Sequence, residues 1–258
     1  MGHSIGFLGG GRISAIFLEA WESNRLDLSH VLVSDSDSAV LDRLKGAHDS
    51  ITVTTDNLGP AGQDIVFLAL HPPVMKAALP DLVPALKANA TIVSLAPVLT
   101  FAKLEGLLKG HNRLVRMIPN APSLLGQGYN PVAFGPGSLL EDRSRLAPLF
   151  AALGQAPEVP ENHLEAYAIL TAMGPTYFWP QWQLLRELAV SFGLDAEAAD
   201  RGLLSMLHGA ADLLFADGRS FEAVMDTIPV KPLAEAQESL LAPFREKLPA
   251  LHARLTAH

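Results

Sequence analysis

The chain has no cysteine among its 258 residues. That removes disulfides, thiolate catalysis and any cysteine-based zinc site. Nine histidines are scattered through it, but none falls in an H-E-x-x-H spacing, so no metal is expected. Charged residues are only 18% of the chain, the net charge is −8, and no lysine- or arginine-rich run occurs. Nucleic acid is therefore not expected as a partner, because neutralising phosphates needs clustered cations. No stretch approaches the ~18 apolar residues of a membrane span. The first apolar run, Ile5 to Leu8, ends in glycines and is too short for a signal peptide. The expectation is a soluble, cytoplasmic protein with no membrane partner.

What is present is apolar. Hydrophobic residues make up 49%, enough for a sizeable core in one large domain or two modest ones. Up to about residue 160, short β-branched runs alternate with helical patterns. The runs Ser4–Leu8, His30–Ser34, Ile65–Leu70, Thr91–Leu95 and Leu114–Met117 read as strands, with weaker ones at Ile51–Thr54 and Val132–Phe134. Helical spacing recurs at Ile13–Trp21, Ala39–Leu44, Val74–Leu86, Phe101–Leu108 and Ser144–Leu153. That alternation predicts a parallel sheet covered on both faces, an α/β Rossmann domain over 1–160. From Glu161 onward the chain reads as helix upon helix, an all-α domain over 161–258.

The glycine triplet after the first strand reads Gly9-x-Gly11-x-x-Ser14. With a strand entering and a helix leaving, this is the dinucleotide fingerprint with serine in place of the third glycine. Gly9 permits the turn, Gly11 lets backbone approach a pyrophosphate, and Ser14 keeps helix and strand close. The helix N-terminus adds N–H groups and partial positive charge. Asp35 follows Gly11 by 24 residues, where an acidic side chain receives the adenosine ribose and repels a 2′-phosphate. No arginine follows in Ser34-Asp35-Ser36-Asp37, which favours NAD over NADP, although Arg12 can swing toward a phosphate. Asp35 and Asp37 read equally as a solvated turn with the N-cap of the next helix.

Several stretches together resemble the pyrroline-5-carboxylate reductase family. Arg116-Met117-Ile118-Pro119-Asn120-Ala121-Pro122, followed by Gly126 and Gly128, is similar to that family's R-x-M-P-N-T-P segment. Leu170 to Tyr177 resembles its S-G-S-G-P-A-Y at the head of a long central helix. The opening GFLGGGRISAI and the run Asp64 to Pro72 match two further family segments. The markers span residue 5 to about 228. The resemblance implies a Rossmann domain of the type in coenzyme F420-dependent NADP oxidoreductases, followed by a helical dimerisation domain. It also implies a homodimer whose substrate lies between the nicotinamide and the partner's helices. Carried across, Gly9, Gly11, Arg12 and Ile13 line the pyrophosphate; Ser34 and Asp35 meet the ribose. Ala69, Leu70, His71 and Pro72 flank the ribose and adenine, while Ser94, Leu95, Ala96, Pro119 and Asn120 approach the nicotinamide.

The departures bear on the substrate. Where the family has D-x-V-x-S-P-G-G-T-T, this chain has Asp226-Thr227-Ile228-Pro229-Val230-Lys231-Pro232-Leu233-Ala234-Glu235. Pro229 and Pro232 remove two N–H groups, so the family's amide cradle cannot form in the same way. Gln183 replaces a glutamate, and His71 the lysine before Pro72. The phosphate machinery is retained and the substrate site rebuilt. The expectation is an NAD(P)H-dependent reductase of a C=N or C=O bond in a small substrate. A dinucleotide-binding sensor without catalysis is the alternative. A 3-hydroxyacid-dehydrogenase-like enzyme is disfavoured, because Tyr177–Val190 contains no lysine.

For catalysis, Tyr177 and Thr176 are the candidates to orient or protonate substrate, and Lys231 to anchor a carboxylate. Each has a plain alternative: Tyr177 as a core tyrosine, Lys231 as a solvated cation. His208 is a further proton-donor candidate, or a buried structural histidine. Trp179 and Trp182 either wall a pocket or pack a dimer.

Overall fold

The computed structural model describes residues 3–257. It divides into two compact units. One runs through Met173 and takes up the chain again at His252; the other is Gly174–Leu251.

In the first unit the strands are β1 (Ile5–Leu8), β2 (Val31–Ser34), β3 (Thr52–Thr54), β4 (Ile65–Leu68), β5 (Thr91–Ser94) and β6 (Leu114–Met117). After them come β7 (Gly128–Tyr129), β8 (Val132–Phe134) and β9 (Gly154–Gln155). The main sheet has the order β3-β2-β1-β4-β5-β6-β8. This is the doubly wound Rossmann arrangement, and the order reverses between β1 and β4. All pairs are parallel except β6 with β8, which is antiparallel. The seventh strand thus departs from the expected parallel sheet. Its entry is closed by Ile118 N–H donating to Pro131 O at 3.0 Å. The small parallel pair β7–β9 was not foreseen, because two residues carry no periodicity.

Helices α1 (Arg12–Ser23), α2 (Ser38–Ala47), α3 (Leu58–Ala61), α4 (Pro72–Leu82), α5 (Phe101–Leu107) and α6 (Leu140–Ala151) connect the strands. On one face of the sheet, Phe7, Phe17, Trp21 and Phe67 form a buried aromatic cluster. Phe7 and Phe67 stack at 4.8 Å, and Trp21 Nε1 donates to Leu149 O at 2.8 Å, tying α1 to α6. On the other face, Leu8, Val66, Leu68, Ile92, Met75, Leu79 and Leu104 make a second core. Burial on both faces explains the uninterrupted apolar reading of β4 and β5. Each of these side chains contributes about 1.5–3 kcal/mol by leaving water.

The unit extends past residue 160. A short helix α7 (Leu164–Tyr167) and a π-helical turn at Ala168–Ala172 belong to it, since Leu164 and Ala168 are buried against Ile118 and Ala133. The second unit comprises α8 (Pro175–Ser191), α9 (Ala196–Phe215), α10 (Phe221–Asp226) and most of α11 (Gln237–Thr256). Proline at the first position of α8 suits a helix start, where its missing N–H costs nothing. Among the described residues no helix is long and apolar enough to cross a membrane.

Candidate functional site

The C-terminal ends of β1, β2, β4 and β5 lie along one edge of the parallel sheet, and the glycine loop occupies its centre. Gly9 sits at φ +103, and a Cβ there would stand 2.8 Å from Ala69 O. Only glycine is comfortable in both respects. Gly11 differs: a Cβ there would meet nothing within 4 Å, so the space above its backbone is open. Gly11 is also the N-cap of α1, which has no side-chain cap and no acid in its first turn. The helix therefore presents its first N–H groups and positive end without a competing anion. Ser14, buried, donates to Gly9 O at 2.6 Å and locks the loop to the helix. An open backbone at an uncapped helix start fits a pyrophosphate. Arg12 is exposed at the helix start, with Ile13 half-buried beside it.

Asp35 lies across the loop. Gly10 N–H donates to its Oδ2 at 2.8 Å and Asp37 N–H to its Oδ1 at 3.0 Å. The carboxylate is thereby oriented and still has lone pairs for a diol. Asp37 caps α2 by accepting from Ala39 N–H at 2.9 Å, as the turn reading expected. Ser34 is buried, with its hydroxyl directed at Asn57 Oδ1 (2.6 Å) and Phe7 O (3.3 Å), so it braces the sheet. Ala69 and Leu70 lie against Gly9, His71 is the exposed N-cap of α4, and Pro72 is its first residue.

Ser94 ends β5 with its hydroxyl buried and no hydrogen-bond partner among the described residues. A buried orphan hydroxyl at a strand's C-terminal end is a group that a bound molecule can satisfy. Leu95 and Ala96 follow it, both buried. Asn120 is committed within the unit. Its Nδ2 donates to Tyr129 O (3.4 Å) and Thr171 O (3.3 Å), and its Oδ1 accepts from Ser123 at 3.2 Å.

Sequence reasoning missed two features here. Arg116 is almost wholly buried, with its guanidinium on Glu161 (2.8 Å) and Glu165 (2.6 Å). Burial opposes charge on Glu165, but Arg116 and the Val98 N–H outweigh it and hold the carboxyl below its usual range. Tyr129 and Tyr167 are paired at 5.9 Å between rings, beside the Asn120 anchor. The hydrogen bond that holds the Tyr129 proton against Tyr167, with burial, pushes the Tyr129 hydroxyl's pKa up. Arg116 was read only as part of a motif. No local signal marks its partners, 45 and 49 residues downstream.

Residues 4–97 match the family model described as NADP oxidoreductase coenzyme F420-dependent. The pyrroline-5-carboxylate reductase of Pseudomonas aeruginosa is 28% identical over 210 residues, covering 81% of this chain and 77% of that one. Pyrroline-5-carboxylate reductase 3 of Bos taurus is 29% identical over 217 residues, covering 83% and 70%. The NADP-bound pyrroline carboxylate reductase structure from Plasmodium falciparum superposes with a TM-score of 0.74 at 19% identity, covering 98% of this chain and 94% of that one. The Coxiella burnetii pyrroline-5-carboxylate reductase gives 0.70 at 24%, covering 99% and 95%. Over most of its length the chain is similar to pyrroline-5-carboxylate reductases, and it shares their fold.

Two of the catalytic candidates lie in different grooves of the second unit. Tyr177 is half-buried at the head of α8, its ring 5.7 Å from Phe244, in a cavity of about 260 Å³ with Pro243, Lys247 and Leu248. Burial raises the pKa of its hydroxyl, so it keeps its proton at neutral pH. Thr176 beside it is exposed. Lys231 instead lines a groove of about 370 Å³ whose walls include apolar side chains of α9 and α10, among them Leu213, Leu214, Phe221 and Met225, with Ile228 and Val230 of the following segment. His208 is exposed on α9, not buried as a structural histidine would be. Trp179 is exposed on α8, and Trp182 stacks on Phe178 at 6.1 Å.

Proposed function

We propose that the chain is an NAD(P)H-dependent reductase acting on a C=N or C=O bond of a small substrate. The observation that carries this reading is the open Gly11 backbone at the uncapped start of α1, at the sheet edge where doubly wound folds bind dinucleotides. A bound nicotinamide supplies the hydride. The chain's own residues hold and orient it. Gly9, Gly11, Arg12 and Ile13 take the pyrophosphate, Asp35 the adenosine ribose, Ala69–Pro72 the adenosine side, and Ser94–Ala96 the nicotinamide end. The Asp35 carboxylate, with no cation in Ser34–Asp37, favours NADH over NADPH by repelling a 2′-phosphate.

Reduction also needs a proton. Tyr177 remains protonated at neutral pH and is the donor or orienting hydroxyl, aided by Thr176. Lys231, which lines a groove separate from that of Tyr177, is the candidate to anchor a substrate carboxylate. The relatives take their name from pyrroline-5-carboxylate. Here the segment Asp226–Glu235 carries two prolines and lines an apolar groove through Ile228, Val230 and Lys231, which argues for a different small imine or carbonyl compound.

The working form is a homodimer through Gly174–Leu251. Phe178, Trp179, Leu184, Leu188, Phe192 and Phe215 are exposed in the single chain, far more apolar surface than a lone unit keeps in water. A second copy covers them.

The test is an oxidation screen of NADH and NADPH over cyclic imines, imino acids and keto acids, with Tyr177→Phe and Lys231→Ala alongside. Turnover of at least one substrate class is expected, reduced at least tenfold in Tyr177→Phe and with a raised substrate KM in Lys231→Ala. Dinucleotide binding without turnover of any substrate would favour a sensor. Turnover unchanged in both variants would remove these residues from the site.

A further inference from the structure

Val98 lies in the segment that leaves β5 toward α5, and its φ is +77. For a β-branched residue this is a real backbone outlier, because Cγ and Cβ crowd the neighbouring carbonyls. Such a conformation persists only where its surroundings over-determine it. Here the surroundings can be named. Val98 N–H donates to Glu165 Oε1 at 3.1 Å, and Lys103 Nζ donates to Val98 O at 3.3 Å. The same Glu165 oxygen receives Arg116 Nη2 at 2.6 Å. At the other end of the segment, Phe101 N–H donates to Glu161 Oε1 at 2.6 Å, and that oxygen receives Arg116 Nη1 at 2.8 Å. Arg116 is opposite Ser94 in the β5–β6 register, so the anchor is built into the sheet itself. The segment from Leu95 to Phe101 is thus suspended from two carboxylates that share one buried guanidinium.

We propose that Arg116, Glu161 and Glu165 are positioning residues that hold Val98 in its strained conformation and fix the 95–101 segment as a rigid wall of the nicotinamide end of the site. The charges do not touch reacting atoms; they act through the backbone of Val98 and Phe101. A wall with one conformation keeps the reacting carbon in line with the nicotinamide, and a loosened wall costs turnover more than cofactor binding. The inference rests on the reductase reading.

A coupling experiment separates the two. Arg116→Met with Glu165→Leu removes the charge pair together, so the guanidinium and its closest carboxylate leave as a unit. With Val98 present, kcat is expected to fall about thirtyfold, while the NADH Kd stays within threefold. In the V98G background, where glycine holds the left-handed conformation unaided, the same pair is expected to cost less than threefold. The isosteric Glu165→Gln, which keeps an acceptor oxygen, serves where the double substitution does not fold. It should lower kcat about fivefold with Val98 and less than twofold in V98G. The backbone chemical shifts of residue 98, which report the sign of φ, are followed in parallel and need no turnover. They should be left-handed in the wild type and revert in Arg116→Met/Glu165→Leu. Equal losses of kcat in both backgrounds, or a residue 98 that stays left-handed without Glu165, overturn the proposal. A wild-type chain that binds NADH and reduces nothing overturns the reductase reading instead, and the chemical shifts still decide whether the anchor holds Val98.

Discussion

The two units of this chain bury their apolar residues in opposite ways. In the first, Phe7, Phe17, Trp21 and Phe67 are sealed from water, and buried polar groups such as Arg116 and Asp142 have charged partners. In Gly174–Leu251, Ala199 is the one buried apolar side chain among the described residues, while Phe178, Leu184, Phe192 and Phe215 face solvent. Yet both segments are similarly rich in leucine and alanine. Composition therefore says how much apolar surface exists, and topology says whether a chain can cover it alone. A doubly wound sheet makes two cores from one chain; the helices of the second unit expose an apolar surface of the kind that a partner covers.

The largest test of that contrast is a matched pair of truncations. Trp21→Ala should cost about 3–5 kcal/mol in denaturant unfolding, since it empties a sealed site and strands Leu149 O. Trp179→Ala should change the stability of the isolated chain by less than about 0.5 kcal/mol and weaken self-association in sedimentation equilibrium. Equal destabilisation by both would erase the contrast.

Acid should also separate the units. Asp142 and Glu165 are buried, and their carboxyls are held below the usual range. In each case burial opposes the charge and arginine partners outweigh it, Arg113 for Asp142 and Arg116 for Glu165. A carboxyl depressed on folding contributes stability that is present above its unfolded pKa and is lost as pH falls through the folded one. Urea midpoints of the first unit should therefore drop as pH falls below about 4. Arg116→Met/Glu165→Leu should flatten that slope. The second unit's depressed carboxyls, Asp200 and Glu222, lie on the surface and should contribute little. A transition whose pH slope ignores the double substitution would place the acid sensitivity elsewhere.

Gly9→Ala is a smaller effect. It asks alanine to sit at φ +103 and 2.8 Å from Ala69 O, so stability should fall by about 1–2 kcal/mol in the first unit. The smallest effect expected is at Asp35. Asp35→Asn should narrow the NADH over NADPH preference several-fold, read from the two Kd values. An unchanged ratio would leave Asp35 as a loop brace for Gly10 alone.

Much of the first unit was legible because its physics is local. The apolar runs that enter β1, β4 and β5, the glycines, and Asp35 at the end of β2 carry their own periodicity or backbone demands. Element ends moved where capping decided them. β4 stops at Leu68, and α4 begins at Pro72 because proline favours the first helical turn. Pieces that depend on distant partners were not legible. The strain at Val98 requires Glu165, and the extension of the first unit to Met173 requires Leu164 and Ala168 to find Ile118 and Ala133. The rebuilt 226–235 segment could be read as an altered loop, but the apolar groove it forms with α9 and α10 comes from packing.

The central claim is that the glycine loop is the floor of a dinucleotide site, and Gly11→Ala tests it most directly. A Cβ at Gly11 meets nothing within 4 Å, so the fold should be untouched, with an unfolding midpoint equal to wild type. The methyl group would stand where the pyrophosphate approaches. Titration of NADH, followed by its fluorescence, should saturate with the wild-type chain and weaken at least tenfold in Gly11→Ala. Equal binding by the two folded proteins, or no binding by the wild type, would contradict the account.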